Sequence, residues 1–217
     1  MKISDPHGAQ PILHYGAPPE QANAAMVMLH GRGASAQDIL SLARELGAVK
    51  NFAFLAPQAA NATWYPYRFL EPMERNEPFL SSALLMLERV VQKIIDAKIP
   101  PERIILLGFS QGACLALEYA ARHAQKYGGI VGLSGGLIGP DSTPRNYSGS
   151  FARTPVFLGC SDVDFHIPKE RVIETAEIFE RMGADVTMRL YPMMDHTVNL
   201  DEIEFVRGMV KRLETGD

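Results

Sequence analysis

Cysteine is scarce: only Cys114 and Cys160 occur in 217 residues, far apart and in no C-x-x-C pair. That argues against a disulfide scaffold or a thiolate metal knuckle, and two buried thiols in a reduced, cytoplasmic protein are the expectation. Long apolar runs are missing too. No segment reaches the roughly 18 consecutive apolar residues of a membrane span, so no stable membrane insertion is expected. The opening stretch MKISDPHGAQPILHYG lacks the apolar core of a secretory signal. Positive charge is not in excess: 21 Lys and Arg face 25 Asp and Glu, for a net charge of −4. No basic block appears, so nucleic acid is not an expected partner. The six histidines are scattered and none forms H-E-x-x-H, so no metal is expected. Neither G-x-x-x-x-G-K-[ST] nor a G-x-G-x-x-G after the first strand is present, and no cofactor is called for.

What is present is an alternation. Short apolar runs bounded by Gly, Pro or Asn read as buried strands: 26–29, 52–56, 103–108, 129–134, 155–159 and 186–191. Between them lie stretches with helical spacing. SAQDILSLARELG places Ile39, Leu42, Ala43 and Leu46 on one face, with Ser35 as cap and Gly47 as stop. The helix after Phe79 steps through Leu84, Leu87, Val91 and Ile94 and must end before Pro100 and Pro101. Three further helices follow the same logic, one starting at Pro168 and ending at Gly183. Strand–helix alternation predicts an α/β fold, a mostly parallel central sheet with helices on both faces. With no repeat or linker, residues 1–217 read as a single domain. Two connections are long, 57–78 and 135–154, and loops of that length are often functional. The second is short for an inserted helical lid, so no full lid is expected.

The chemistry starts at Gly108-Phe109-Ser110-Gln111-Gly112. This is G-x-S-x-G between a strand and a helix, a turn that exposes a nucleophile. The glycines remove β-carbons that would collide in so tight a bend. The helix N-terminus brings free N–H groups and partial positive charge to an oxyanion. In this context the base and its orienting acid follow in the chain order Ser, Asp or Glu, His. His196 lies after the last strand, and Asp162 and Asp164 lie after the strand before it. A second oxyanion donor is expected from LHGRGAS: the N–H of Arg32, paired with the N–H of Gln111, while the Arg32 guanidinium faces solvent. The aromatic stretch of the first long loop, Trp64, Tyr65, Tyr67, Arg68 and Phe69, either covers the sheet end or lines the substrate pocket; Trp64 is expected to bind substrate.

Taken together, LHGRGAS, GFSQGA, DFHIP and the late His196 resemble the phospholipase/carboxylesterase family of α/β-hydrolases, which includes acyl-protein thioesterases, in its bacterial branch. The resemblance spans residues 26–200. It implies an α/β-hydrolase fold and a serine hydrolase that cleaves small-molecule carboxylic esters, or thioesters, through an acyl-enzyme. It casts Ser110 as nucleophile, His196 as base and one aspartate as acid, with no cofactor. A homodimer is compatible with it. The alternatives are a non-catalytic small-molecule binder on the same fold and a dienelactone-type hydrolase, whose nucleophile would be cysteine rather than Ser110. Two departures stand out. PMMD precedes His196 where the family often has a glycine turn. The family's single aspartate of G-x-x-D and D-x-x-V-P is split here between Asp162 and Asp164. Pro168 and Ile167 fix the helix side, which favours Asp164 as acid, with a bulge absorbed near Gly159 and Asp162 bonding loop amides.

Overall fold

The computed structural model describes residues 4–47 and 50–215. Seven strands form one sheet: β1 (Ile12–Gly16), β2 (Ala24–Leu29), β3 (Phe52–Pro57), β4 (Ile104–Phe109), β5 (Gly129–Leu133), β6 (Pro155–Ser161) and β7 (Asp185–Tyr191). Their spatial order is β1-β3-β2-β4-β5-β6-β7. Every pairing is parallel except β1 with β3. The six predicted strands are all present, each within two residues of its expected start and end. The antiparallel edge strand β1 was not expected.

Among the described residues five α-helices flank the sheet: α1 (Ala36–Glu45), α2 (Phe79–Asp96), α3 (Gln111–Arg122), α4 (Lys169–Arg181) and α5 (Leu200–Thr215). Helices cover both faces, as parallel pairing requires. Alternate strand residues point to opposite sides. Ala25, Val27 and Leu29 of β2 meet Leu87, Val91 and Cys114 in the layer of α2, α3 and α4. Met26 and Met28 meet Ile39, Leu40 and Val210 in the layer of α1 and α5. Each large side chain buried this way contributes roughly 1.5–3 kcal/mol by leaving water. Helix starts follow local chemistry. Ser35 and Asp38 form a reciprocal capping box at α1. Asn199 and Glu202 trade side-chain bonds to each other's amides in the same way at α5. Among the described residues no helix is long and apolar enough to cross a membrane.

The sheet order also positions the site. The chain leaves β2 toward β3 on one side, then returns to build β4 through β7 on the other. Ligand crevices in such sheets open at this reversal, beyond the carboxyl ends of the strands. Leu29 pairs with Gly108, so β2 and β4 end level and the segments that follow them lie side by side.

Candidate active site

Ser110 sits at the tip of the β4–α3 turn with φ 55° and ψ −121°, a conformation that L-residues rarely adopt. The flanking glycines explain how the turn is accommodated. A β-carbon on Gly108 would lie 2.2 Å from the carbonyl oxygen of Gly112. One on Gly112 would lie 2.2 Å from that of Leu29. The second contact is with the neighbouring strand rather than the turn, so Gly112 also lets α3 dock onto β2. The Ser110 amide is tied to Leu133 O at 2.9 Å, and its side chain stands at the start of α3.

His196 reaches Ser110 from beyond β7. Its Nε2 is 2.8 Å from Ser110 Oγ, and its Nδ1 is 2.6 Å from Asp164 Oδ2. A carboxylate on Nδ1 places the ring proton there and leaves Nε2 to accept from the serine hydroxyl. The Asp164 side chain is fully buried. Burial alone would push its carboxyl up. Hydrogen bonds from His196 and from the amides of His166 (2.8 Å) and Ile167 (3.0 Å) outweigh that and hold it below the ordinary value. The imidazole of His196 packs against Phe109 at 5.0 Å and against His166 at 4.9 Å, centroid to centroid.

The two aspartates do different things. Asp164 meets His196, whereas Asp162 Oδ1 accepts from the amide of Met193 at 2.9 Å and so joins the acid loop to the histidine loop. The expected bulge near Gly159 is absent. β6 pairs regularly with β7 from Pro155 to Ser161.

Arg32 and Gln111 line the same cavity as Ser110. The Arg32 amide bonds no described residue, and that of Gln111 is the first N–H of α3, which has no partner within the helix. Gly31 comes close enough that a β-carbon there would stand 3.4 Å from that of Ser110.

The Arg32 side chain departs from expectation. Its guanidinium does not face solvent freely but donates to the carbonyls of Tyr65 (2.9 Å), Pro66 (2.8 Å) and Tyr67 (2.7 Å). Gln111 grips the same loop, donating to Tyr65 O at 2.8 Å and accepting from the Trp64 amide at 2.9 Å. The loop crosses the end of the sheet without a strand partner, and these side chains satisfy its backbone.

Trp64 is likewise corrected. It does not line the cavity. It is fully buried beneath it, its Nε1–H on His30 O at 2.9 Å, its ring near the imidazoles of His7 and His30. Burial lowers the pKa of both histidines. Each accepts a loop amide: His7 Nδ1 from Ala60 and His30 Nε2 from Ala59. The neighbours of Trp64 form the wall instead. A cavity of about 550 Å³ above Ser110 is lined by Tyr65, Tyr67, Arg68 and Phe69 on one side and His166, Ile167 and His196 on the other. Cys114 lies at its floor, its thiol pushed up to about 12 by burial. Residues 135–154 form no helix over this opening.

His7, His30 and Asn76 were missed as supports of this wall. His30 had a signal, its place at the end of β2; His7 had none, because its partners lie more than fifty residues away.

Comparison with known proteins identifies the family and the fold. The sequence profile described as Phospholipase/Carboxylesterase matches residues 15–213. A crystal structure of a phospholipase/carboxylesterase from Dyadobacter fermentans superposes with a TM-score of 0.89 at 45% identity, covering 94% of this chain and 97% of that one. Acyl-protein thioesterase 1 of Saccharomyces cerevisiae is 29% identical over 92% of this chain and 97% of its own length. A Bacillus cereus carboxylesterase, 17% identical with a TM-score of 0.73 over 95% of both chains, shares the fold.

Proposed function

The chain belongs to the phospholipase/carboxylesterase family of α/β-hydrolases and is a hydrolase, and on that premise we propose that Ser110, His196 and Asp164 cleave carboxylic esters through an acyl-enzyme. The observation that carries this reading is the unbroken hydrogen-bonded chain from Ser110 Oγ through His196 to Asp164, at 2.8 and 2.6 Å. His196 takes the serine proton as Oγ attacks the ester carbonyl. The oxyanion that forms lies beside the amides of Arg32 and Gln111. The leaving alcohol collects the proton from His196, and water then repeats the steps on the acyl-serine. Asp164 holds the imidazole in the tautomer that can accept, and stabilises it when charged. Each oxyanion donor contributes about 3–4 kcal/mol to the transition state. A thioester carbonyl meets the same groups, and the thioesterase names of the curated relatives make thioesters substrates to include. Two buried, unpaired thiols fit a reducing compartment, the cytoplasm.

The test is Ser110→Ala. The hydroxyl contributes little to packing, so the variant should fold and lose hydrolysis of an activated ester, and a fluorophosphonate should label the parent alone. Equal labelling of parent and variant would remove Ser110 from its role.

A further inference from the structure

The charge lining the cavity is uneven. Its charged side chains are Arg32, Arg68, Arg75 and Glu71. Glu71 is the one lining carboxylate among the described residues, and Arg75 pairs with it at 2.7 Å while lying 4.4 Å over the Tyr67 ring. Arg32 is engaged by three loop carbonyls. Arg68 remains. It is exposed at the cavity, and its guanidinium makes no hydrogen bond or ion pair with any described residue.

The backbone that carries Arg68 is held firmly. The Tyr67 amide donates to the buried Asn76 Oδ1 at 2.9 Å, and Tyr67 O accepts from Arg32. Arg68 O accepts from the Glu71 amide at 3.1 Å. Phe69 is buried, and its carbonyl accepts from Gly139 at 2.7 Å. A cation is thus presented from a fixed main chain, at the cavity that holds Ser110, with no protein anion to neutralise it. A guanidinium in this position suits a planar oxyanion, which it can bind through two parallel bonds.

We propose that Arg68 is a specificity-determining residue and that the preferred substrates are esters or thioesters bearing a second, anionic group, a carboxylate before a phosphate. This rests on the reading of the site as an ester hydrolase. A neutral ester would leave the cation bridged only by water. An anionic one would gain a charge-assisted bond in the ground state and the transition state alike, so the gain should appear in KM more than in kcat.

The experiment compares the monomethyl ester of adipic acid with a near-isostere in which a methyl ketone replaces the carboxylate. A third ester carries phosphate at the same place and separates the two anions. The wild-type kcat/KM should favour the carboxylate over the ketone by about two- to five-fold, the size of an ion pair at an exposed arginine. In Arg68→Ala and Arg68→Gln the ratio should fall close to one, Arg68→Lys should keep part of it, and added salt should shrink it in the wild type. A wild-type ratio near one, or a preference that survives in Arg68→Ala, would overturn the proposal, and a phosphate ester favoured over the carboxylate would overturn its choice of anion. Failure of the underlying reading looks different: an activated neutral ester would then show no Ser110-dependent hydrolysis at all.

Discussion

Arg32→Ala separates two things that one residue does. Its amide is the proposed oxyanion donor, and its guanidinium bonds three successive carbonyls of the pocket wall at 2.7–2.9 Å. Alanine removes only the second. Bonds to a charged donor contribute about 1.5–3 kcal/mol each when buried. Two of these three are exposed, where water replaces the donor and the contribution falls to about 0–1 kcal/mol. Only the bond to Tyr65 O is partly buried. A total near 2 kcal/mol follows, which converts to roughly thirty-fold in kcat/KM if the wall must be ordered to hold substrate. The wall should not collapse, because Gln111 still holds Trp64 and Tyr65. The loss should therefore fall mainly on KM. Arg32→Lys should resemble alanine, because a single ammonium cannot span three carbonyls. The assay is steady-state hydrolysis of an activated neutral ester, with thermal unfolding measured beside it. Wild-type kinetics in Arg32→Ala would refute the role of the guanidinium. A thousand-fold fall in kcat at unchanged KM would show that the amide had moved, and would refute the separation itself.

Three other outcomes are expected. Asp164→Asn should hold His196 in the wrong tautomer and lower kcat by up to about 10⁴-fold, whereas Asp162→Asn, which keeps an oxygen that can accept from the Met193 amide, should cost less than about ten-fold; paired kinetics with folding checked would expose a reversed order. Glu202 is buried, with Oε1 lacking a partner, and burial raises its carboxyl from 4.5 to about 7. The unfolded chain releases this proton first, so the group costs stability as pH rises from 4.5 to 7, up to about 3 kcal/mol, and nothing further above that. Glu202→Gln should gain on the wild type across that window in denaturant titrations, and a pH-independent difference would contradict the assignment. Finally, an open cavity of about 550 Å³ with no helix over it should favour short and medium acyl esters without interfacial activation, which a rate jump above the aggregation threshold of a long-chain ester would disprove.

What could be read in the sequence was whatever neighbouring residues determine together. Strands β2 to β6 were legible because both faces of each are buried, leaving continuous apolar runs, whereas β7, an edge strand with no fully buried residue, was legible from its β-branched and apolar stretch before Pro192. β1 was not, because ILHYG is an edge strand with its last three residues exposed, and five residues of mixed polarity carry little signal. Ser110 and His196 were legible from a local motif and from chain order. The pairing of Asp164 with His196 rested on Ile167 and Pro168, and it is the amide of Ile167 that holds the carboxylate in place.

The pocket wall shows where such reading stops, and also what it could have asked. The run WYPYRF does not say which aromatic turns inward. That is decided by His7 and His30, buried on either side of Trp64 and remote in sequence. Yet a loop of this length laid over the end of a sheet must satisfy backbone groups that no ladder reaches, and each left unpaired in a buried position would cost about 1–3 kcal/mol. Donors and acceptors had to come from side chains nearby. Arg32 and Gln111 follow strand ends that the sequence already placed at the same edge as this loop. An arginine in a glycine-rich turn reads as solvated when taken alone. Set against three carbonyls at the same edge that no strand ladder reaches, it becomes a side chain with enough donors to bind them all, and the same step identifies Arg68 as the cation the loop does not use.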